Sequence, residues 1–200
     1  TQAFAAAHGW RAYHPARHTG VVRFLTVRHL PHTSQCAVQL LAARDDVPRL
    51  DEWAQGVAAL GPAVRTVTLG VNGSRANVAF AESERVLIGD GTIVERLLGL
   101  EFEATSNAFL QTNSDQAEAL YTKAIEAAQL TGNECVLDLY SGTGTLTLLF
   151  ARACREAVGV ESVGDAVTRA RANATRNGIA NARFVHGESA TIWSVHWRSP

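Results

Sequence analysis

The sequence contains no methionine and only one lysine, Lys123, among its 200 residues. Since even the first residue is not methionine, we expect the chain to be a piece of a longer protein. No apolar run approaches the length of a membrane-spanning helix, and no segment has the pattern of a signal peptide. We therefore expect an intracellular monomer that does not bind membranes, in the cytoplasm or in a plastid or mitochondrion.

Cysteine is also scarce. Cys36, Cys135 and Cys154 lack the spacing of a disulfide framework or of a metal site, and two of them lie in apolar runs. This usage is typical of small buried hydrophobic residues in a reducing compartment. His14 and His18 lie four residues apart, but Pro15 lies between them and no third ligand is evident, so we expect no metal.

Acidic residues are absent from Thr1 to Arg44, although the net charge of the whole chain is only −1. The same segment is rich in arginine and histidine. A segment of this composition is suited to contact a polyanion such as RNA. A solvated face, or an edge strand protected by its charges, explains the composition equally well.

The hydrophobic periodicity changes between residues 106 and 113. Upstream, the pattern predicts strands, one helix with an apolar face, and a glycine-punctuated hairpin followed by a strand that ends near Thr105. The predicted strands are 19–27, 35–41 and 63–71, and the predicted helix is Pro48–Leu60. We expect a small α+β domain over residues 1–106.

Downstream, a helix capped by Asn113 or Ser114 leads into strands and helices that alternate. The predicted segments are strand Cys135–Tyr140, helix Gly144–Cys154, strand Ala157–Glu161, helix Gly164–Asn177 and strand Ala182–His186. Alternation of this kind indicates a parallel sheet. We expect residues 107–200 to form the N-terminal part of a truncated α/β domain.

The stretch VLDLYSGTGTL, residues 136–146, has the arrangement of a nucleotide-binding loop. Asp138 ends an apolar run, and Gly142 and Gly144 precede a predicted helix. Glycines let the backbone approach a ligand, and the N-terminus of a helix offers free N–H groups. A tight connection between strand and helix would use the same glycines without any ligand. The neighbouring acids therefore decide between a nucleotide-binding loop and a plain connection.

Acids lie at the ends of three successive predicted strands: Asp138, Glu161 and Glu188. Ligands of doubly wound sheets bind at the carboxyl ends of strands, where Glu161 can accept hydrogen bonds from both ribose hydroxyls. Thr147 occupies the place of the third glycine in the dinucleotide pattern. Asp138 instead precedes Gly142 by four residues, as in the first motif of class I S-adenosylmethionine methyltransferases, where a carboxylate can pair with the ammonium group of the cofactor.

The segment FEATSNAFLQTNSDQAEALYTKAI makes the prediction more specific. It resembles the bacterial-type RNA uracil-5-methyltransferase family, which modifies ribosomal or transfer RNA. The matching positions are Phe102, Ser106, Phe109, Gln111, Asn113, Leu120, Tyr121 and Leu137 to Tyr140. Together with GVVRFLTVR, RANVAF and GDGTIVERLLGLEFEAT, the resemblance covers roughly residues 18–190.

The resemblance implies an incomplete class I methyltransferase sheet, Rossmann-like, that binds S-adenosyl-L-methionine. Gln111 would contact the cofactor, Tyr140 would line its pocket, and Glu188 would lie near the adenine. The implied cofactor-binding residues are Gln111, Asp138, Tyr140, Gly142, Gly144, Thr145, Glu161 and Glu188.

The resemblance also implies RNA contacts. Phe109 matches an aromatic residue of the family near the target base, although an ordinary core phenylalanine would look the same. The candidate phosphate contacts are Arg11, Arg17, Arg23 and Arg28.

In the resembled family a cysteine thiolate adds to C6 of uracil, C5 takes the methyl group, and a glutamate removes the C5 proton. The resemblance places that cysteine and that base beyond residue 200, so no catalytic residue is predicted in this chain. We expect that the chain alone does not methylate RNA. Two alternatives remain open: a methyltransferase of another substrate, and an RNA-binding protein without activity.

Overall fold

The computed structural model describes residues 1–106 and 111–188. These residues form two compact units. Residues 1–93 belong to the first unit, together with Thr105 and Ser106. Val94–Ala104 belong to the second unit, together with the described residues from 111 onward.

The first unit is built on a four-stranded sheet in the order β1-β2-β3-β4. Strand β1 pairs antiparallel with β2, β2 parallel with β3, and β3 antiparallel with β4. A helix in the β2–β3 connection makes the parallel pairing possible, as in any β-α-β unit. The elements are α1 (Gln2–Ala7), β1 (Val22–Leu30), β2 (Gln35–Ala42), α2 (Leu50–Ala58), β3 (Val64–Val71) and β4 (Ser83–Ile88).

The core of the first unit lies between α2 and one face of this sheet. Trp53 and Val57 of α2 are buried in one cluster with Leu40 of β2 and Leu69 of β3. Of the predicted apolar face, Leu50, Trp53 and Val57 are therefore packed, whereas Leu60 lies beyond the end of α2 and is 81% exposed. Trp10, from the segment after α1, belongs to the same cluster and donates from its indole N–H to the Pro48 carbonyl at 2.9 Å.

Strand β1 begins at Val22, three residues later than the periodicity predicts. Gly20 has φ +95, and a Cβ on it would lie 2.1 Å from the Ala12 carbonyl oxygen. The chain therefore crosses itself closely just before the strand, and only glycine fits there. This long-range approach leaves no trace in local hydrophobic spacing.

The second unit contains a hairpin, a helix and a parallel three-stranded sheet in the order β7-β8-β9. The hairpin turns at Leu98 and Gly99, both with positive φ, as two-residue hairpin turns require. The elements are β5 (Thr92–Leu97), β6 (Leu100–Thr105), α3 (Ser114–Ala128), β7 (Cys135–Asp138), α4 (Thr145–Ala151), β8 (Glu156–Glu161), α5 (Gly164–Arg176) and β9 (Ala182–His186). The predicted alternation and the parallel sheet are both observed.

The core of the second unit joins the hairpin to α4, α5 and β9. Phe102 of β6 and Leu148 of α4 are fully buried, and they form one cluster with Ala170 of α5 and Phe184 of β9. Most of the hairpin, which lies upstream of the predicted boundary at residues 106–107, thus groups with the α/β unit. That boundary stays a prediction. Within the described ranges, no helix is long and apolar enough to cross a membrane.

Candidate cofactor site

The loop between β7 and α4 follows the carboxyl end of β7 and runs beside the end of β8. The Ser141 N–H donates to the Val160 carbonyl at 3.0 Å, and the Gly144 N–H donates back to the Ser141 carbonyl at 2.8 Å. Gly142 and Gly144 have φ values of +54 and +88. These left-handed conformations form the sharp turn that the two glycines predict.

Asp138 closes β7 and holds the loop through its carboxylate. Its Oδ2 accepts a hydrogen bond of 2.7 Å from the Thr147 hydroxyl, and its Oδ1 accepts one of 3.3 Å from the Tyr140 N–H. Thr147 is fully buried. The residue that replaces the third glycine of the dinucleotide pattern therefore orients the acid that precedes the loop.

Glu161, the last residue of β8, reaches the same loop. Its Oε2 accepts from the Gly142 N–H at 3.0 Å, and its Oε1 accepts from the Val163 N–H at 2.8 Å. Partial burial raises the pKa of the Glu161 carboxyl, but the hydrogen bonds from Val163, Gly142 and Ser162 outweigh it, so the pKa lies below its ordinary value. The group is a carboxylate at neutral pH and is an acceptor for hydroxyl groups.

The two glycines of the loop face different surroundings. A Cβ on Gly144 would lie 2.8 Å from the ring of Phe184, whereas a Cβ on Gly142 would meet no atom of the described residues within 4 Å. Gly159 of β8 clears space for the same Phe184 ring, 2.7 Å from where its Cβ would be. The loop is thus packed against the interior at Gly144 and open at Gly142, beside the Glu161 carboxylate.

The end of β9 lies beside the end of β8. The Gly187 N–H donates to the Glu161 carbonyl at 3.0 Å, and His186 Nε2 donates to the Ser162 carbonyl at 2.9 Å. Glu188 follows and is exposed. The carboxyl ends of β7, β8 and β9 therefore bring the three predicted acids to one edge of the sheet.

The remaining predicted cofactor residues differ in exposure. Tyr140 is 85% exposed, a high value for an aromatic side chain, whereas Thr145 is buried in the first turn of α4. Gln111 is exposed two residues before Asn113, and within the described ranges no hydrogen bond joins it to the loop. Phe109 lies outside the described residues.

The predicted phosphate contacts lie in the first unit, where Arg11 and Arg17 are exposed and Arg28 is half-buried. Burial lowers the pKa of the Arg28 guanidinium from its ordinary value. Arg23 is held inside its own unit. Its Nη1 donates to the carbonyls of Asn72 and Ser74 at 2.6 and 2.8 Å, and its Nη2 donates to the Ala76 carbonyl. This geometry favours a bracing role for Arg23 over a phosphate contact.

Three residues of the site were not predicted: Thr147, Phe184 and Asn173. Asn173 of α5 is fully buried, and its Nδ2 donates to the Thr143 carbonyl of the loop at 3.0 Å. A buried polar residue on the apolar face of a predicted helix was the available signal, because such a residue needs hydrogen-bond partners. Within residues 1–106 and 111–188, no cluster of three or more His, Cys, Asp or Glu side chains could hold a metal ion.

The parallel sheet, the glycine loop and the acids at its edge define an α/β protein of the Rossmann-like methyltransferase class. The chain belongs to the tRNA (uracil-5-)-methyltransferase family, whose model matches residues 22–192. The family resemblance and the fold class predicted from the sequence are thereby confirmed.

Curated relatives carry the same description at the level of RNA methylation. A protein of Lactiplantibacillus plantarum described as an uncharacterized RNA methyltransferase is 40% identical over 94% of this chain and 41% of its own length. One from Streptococcus agalactiae with a similar description is 35% identical over 94% of this chain and 41% of its own length. The chain thus spans about two fifths of these relatives.

A solved structure is similar over nearly the whole chain. It is the tRNA (uracil-54, C5)-methyltransferase of Pyrococcus abyssi in complex with S-adenosyl-L-homocysteine, with a TM-score of 0.75 and 25% identity. The match covers 94% of this chain and 44% of that one.

Proposed function

We propose that this chain is the cofactor-binding part of an S-adenosylmethionine-dependent methyltransferase that modifies C5 of uridine in RNA. The observation that carries the proposal is the opening at Gly142: among the described residues no atom lies within 4 Å of where its Cβ would be, and its N–H donates to the Glu161 carboxylate at the end of β8. The family match and the S-adenosylhomocysteine complex of the Pyrococcus protein support the same ligand.

The residues present fit an aminoacyl-nucleoside. The Asp138 carboxylate is oriented by Thr147 and can pair with an ammonium group. Glu161 is ionised at neutral pH and can accept from ribose hydroxyls, and Gly142 leaves the backbone accessible. The bound cofactor supplies an electrophilic methyl group; Tyr140, exposed beside the loop, is proposed to cover it, and Glu188 to lie toward the adenine.

Calorimetric titration of the chain with S-adenosylhomocysteine tests the cofactor assignment. We expect saturable binding by the unmodified chain and a loss of about 10- to 100-fold in affinity for Glu161→Ala, because hydrogen bonds to a charged acceptor are lost. Glu156→Ala is the matched control: Glu156 lies at the other end of β8, paired with Arg183 at 3.5 Å, and its loss should leave binding unchanged. Equal affinities for the two variants would contradict the assignment.

The catalytic cysteine and the base are proposed to lie outside this chain. In support, burial raises the pKa of the Cys36, Cys135 and Cys154 thiols, which disfavours the thiolate that a nucleophile requires. Cofactor binding without methyl transfer to a uridine-containing RNA is the expected result for the 200-residue chain. Incorporation of labelled methyl groups by this chain alone would contradict it.

A further inference from the structure

We infer that Asn173 is a positioning residue for the cofactor loop, and that it fixes the Thr143 carbonyl so that Gly142 and Gly144 keep the conformation that a ligand requires. The inference rests on the proposed function, which assigns the loop to S-adenosylmethionine. Among the described residues, Asn173 makes no hydrogen bond with a predicted cofactor-binding residue. It is fully buried and acts through the loop backbone.

Both ends of the Asn173 amide are used, and they join two parts of the second unit. Nδ2 donates to the Thr143 carbonyl at 3.0 Å, and Oδ1 accepts from the Glu103 N–H of β6 at 2.9 Å. A buried amide with both kinds of partner has a defined orientation. The position of the Thr143 carbonyl is therefore set by the helix and the hairpin together.

The loop is held at two adjacent residues from different directions. Glu161 accepts from the Gly142 N–H, and Asn173 donates to the carbonyl of the next residue, Thr143. The residues on both sides of Thr143 are glycines with positive φ. Because glycine has no Cβ, this turn has more conformational freedom in the unfolded chain than other residues would give it. Without Asn173, the Thr143 carbonyl would be buried without that partner, and the loop would relax away from the conformation that presents Gly142.

Asn177 provides a matched control at the end of the same helix. It lies one turn after Asn173 and also binds β6: Oδ1 accepts from the Glu101 N–H at 2.8 Å, and Nδ2 donates to the Glu101 carbonyl at 2.7 Å. Its Nδ2 also donates to the Asn173 carbonyl at 2.8 Å. The structure shows no bond from Asn177 to the loop within the described residues. The two asparagines therefore share the attachment to the hairpin and differ in the contact with Thr143.

The test compares Asn173→Asp with Asn177→Asp in the 200-residue chain. Each substitution keeps the size and the acceptor oxygen but removes the amide donor. We expect Asn173→Asp to bind S-adenosylhomocysteine about tenfold more weakly than the unmodified chain, from the loss of one buried hydrogen bond. Asn177→Asp should bind with unchanged affinity although its melting temperature also falls. Calorimetry and thermal melts are measured on the same samples.

The pH dependence separates loop positioning from general damage. In the Asn173→Asp variant, a protonated carboxyl group can again donate to the Thr143 carbonyl, so the affinity of this variant relative to the unmodified chain should recover as the pH falls. Asn177→Asp should show no such recovery. If Asn173→Asp does not fold, Asn173→Ala and Asn177→Ala replace the pair, with the same ranking of affinities expected.

The outcomes distinguish the inference from the proposed function. No binding by the unmodified chain would overturn the proposed cofactor and the inference with it. Binding by the unmodified chain together with equal affinities for the Asn173 and Asn177 variants would overturn the inference alone. A tenfold difference between the two variants at similar melting temperatures supports it.

Discussion

At the scale of the residue, the two glycines of the loop perform different tasks. Gly144 is the residue before α4 and lies against Phe184 and Ala170, whereas Gly142, beside Glu161, faces space that no described residue fills. Gly144 is needed for packing beneath the loop, and Gly142 is proposed to give a ligand access above it. The sequence pattern Gly-x-Gly predicts the turn but treats the two positions alike.

We predict that Gly144→Ala destabilises the chain by about 2–5 kcal/mol, because positive φ costs a side chain about 1–2 kcal/mol and the overlap with Phe184 adds about 1–3 kcal/mol. Gly142→Ala should lower the stability only by the conformational strain of a positive φ, about 1–2 kcal/mol. Urea unfolding measures both. A Phe184→Leu substitution should recover part of the loss in Gly144→Ala and none of it in Gly142→Ala; equal stabilities for the two alanine variants would refute the distinction.

The ranking should reverse for ligand binding. Gly142→Ala places a methyl group in the space where the ligand is proposed to approach. Its affinity for S-adenosylhomocysteine should therefore fall more than the affinity of Gly144→Ala.

At the scale of the element, hydrophobic periodicity predicts the core of each helix and strand better than its ends. The faces of α2 and the succession β7-α4-β8-α5-β9 agree with the structure, because both depend on local spacing. The predicted helix Gly144–Cys154 ends instead at Ala151. Asn181, from the segment before β9, donates to the Ala151 and Cys154 carbonyls at 2.7 and 3.1 Å. That partner is 30 residues from Ala151, beyond the reach of a local pattern.

The N-terminus of α3 is an intermediate case, where local chemistry limits the cap to two adjacent residues. Asn113 and Ser114 were both candidate caps, and the Asn113 side chain accepts from the Gln116 N–H at 3.0 Å. Ser114 instead donates to the buried Glu95 carboxylate at 2.5 Å. Choosing between the two candidates required the position of β5, which the local sequence does not contain.

The turn before β7 is held by the Glu134 carboxylate, which accepts hydrogen bonds from several groups of that turn. Glu134 accepts from the Thr131 hydroxyl at 2.5 Å and from the N–H groups of Thr131, Gly132 and Asn133 at 2.9, 3.0 and 3.1 Å. The Thr131 hydroxyl is the largest cause that lowers the pKa of Glu134, from 4.5 to about 2. Since the folded form holds its proton less tightly than the unfolded form, this stabilisation is complete above the ordinary pKa and is lost as the pH falls toward 2.

We predict that Glu134→Gln lowers the melting temperature at pH 7 and that this difference shrinks as the pH falls from about 5 toward 2. Melts of the two proteins at matched pH values measure it. Glu126→Gln serves as the control. Among the described residues, the exposed Glu126 carboxylate pairs with the Lys123 side chain and accepts no hydrogen bond from a backbone N–H. A difference between Glu134→Gln and the unmodified chain that stays constant across this range would show that the turn does not depend on the carboxylate.

At the scale of the whole molecule, the acid-free segment divides into residues that serve the fold and residues that remain available. The Arg23 guanidinium also stacks on the Tyr13 ring, 4.4 Å from its centroid, in addition to its backbone carbonyl partners. Composition alone ranks all the arginines equally, because a bond from Arg23 to Asn72 spans 49 residues. Arg11 and Arg17 are exposed and are the stronger candidates for phosphate contact.

We predict that the double variant Arg11→Ser, Arg17→Ser binds an unmodified uridine-containing RNA more weakly, with its melting temperature unchanged. Each lost phosphate contact should reduce the slope of log K against log salt concentration by about 0.7–0.9. Arg44→Ser is the control for charge, because Arg44 is paired with Asp46 at 2.7 Å and its loss should leave the slope unchanged. Arg23→Gln should instead lower the melting temperature, since its donors hold the carbonyls of residues 72–76. Filter binding over a salt series gives the slopes. An unchanged slope in the double variant would mean that the absence of acids reflects a solvated face, and that the RNA contacts lie elsewhere.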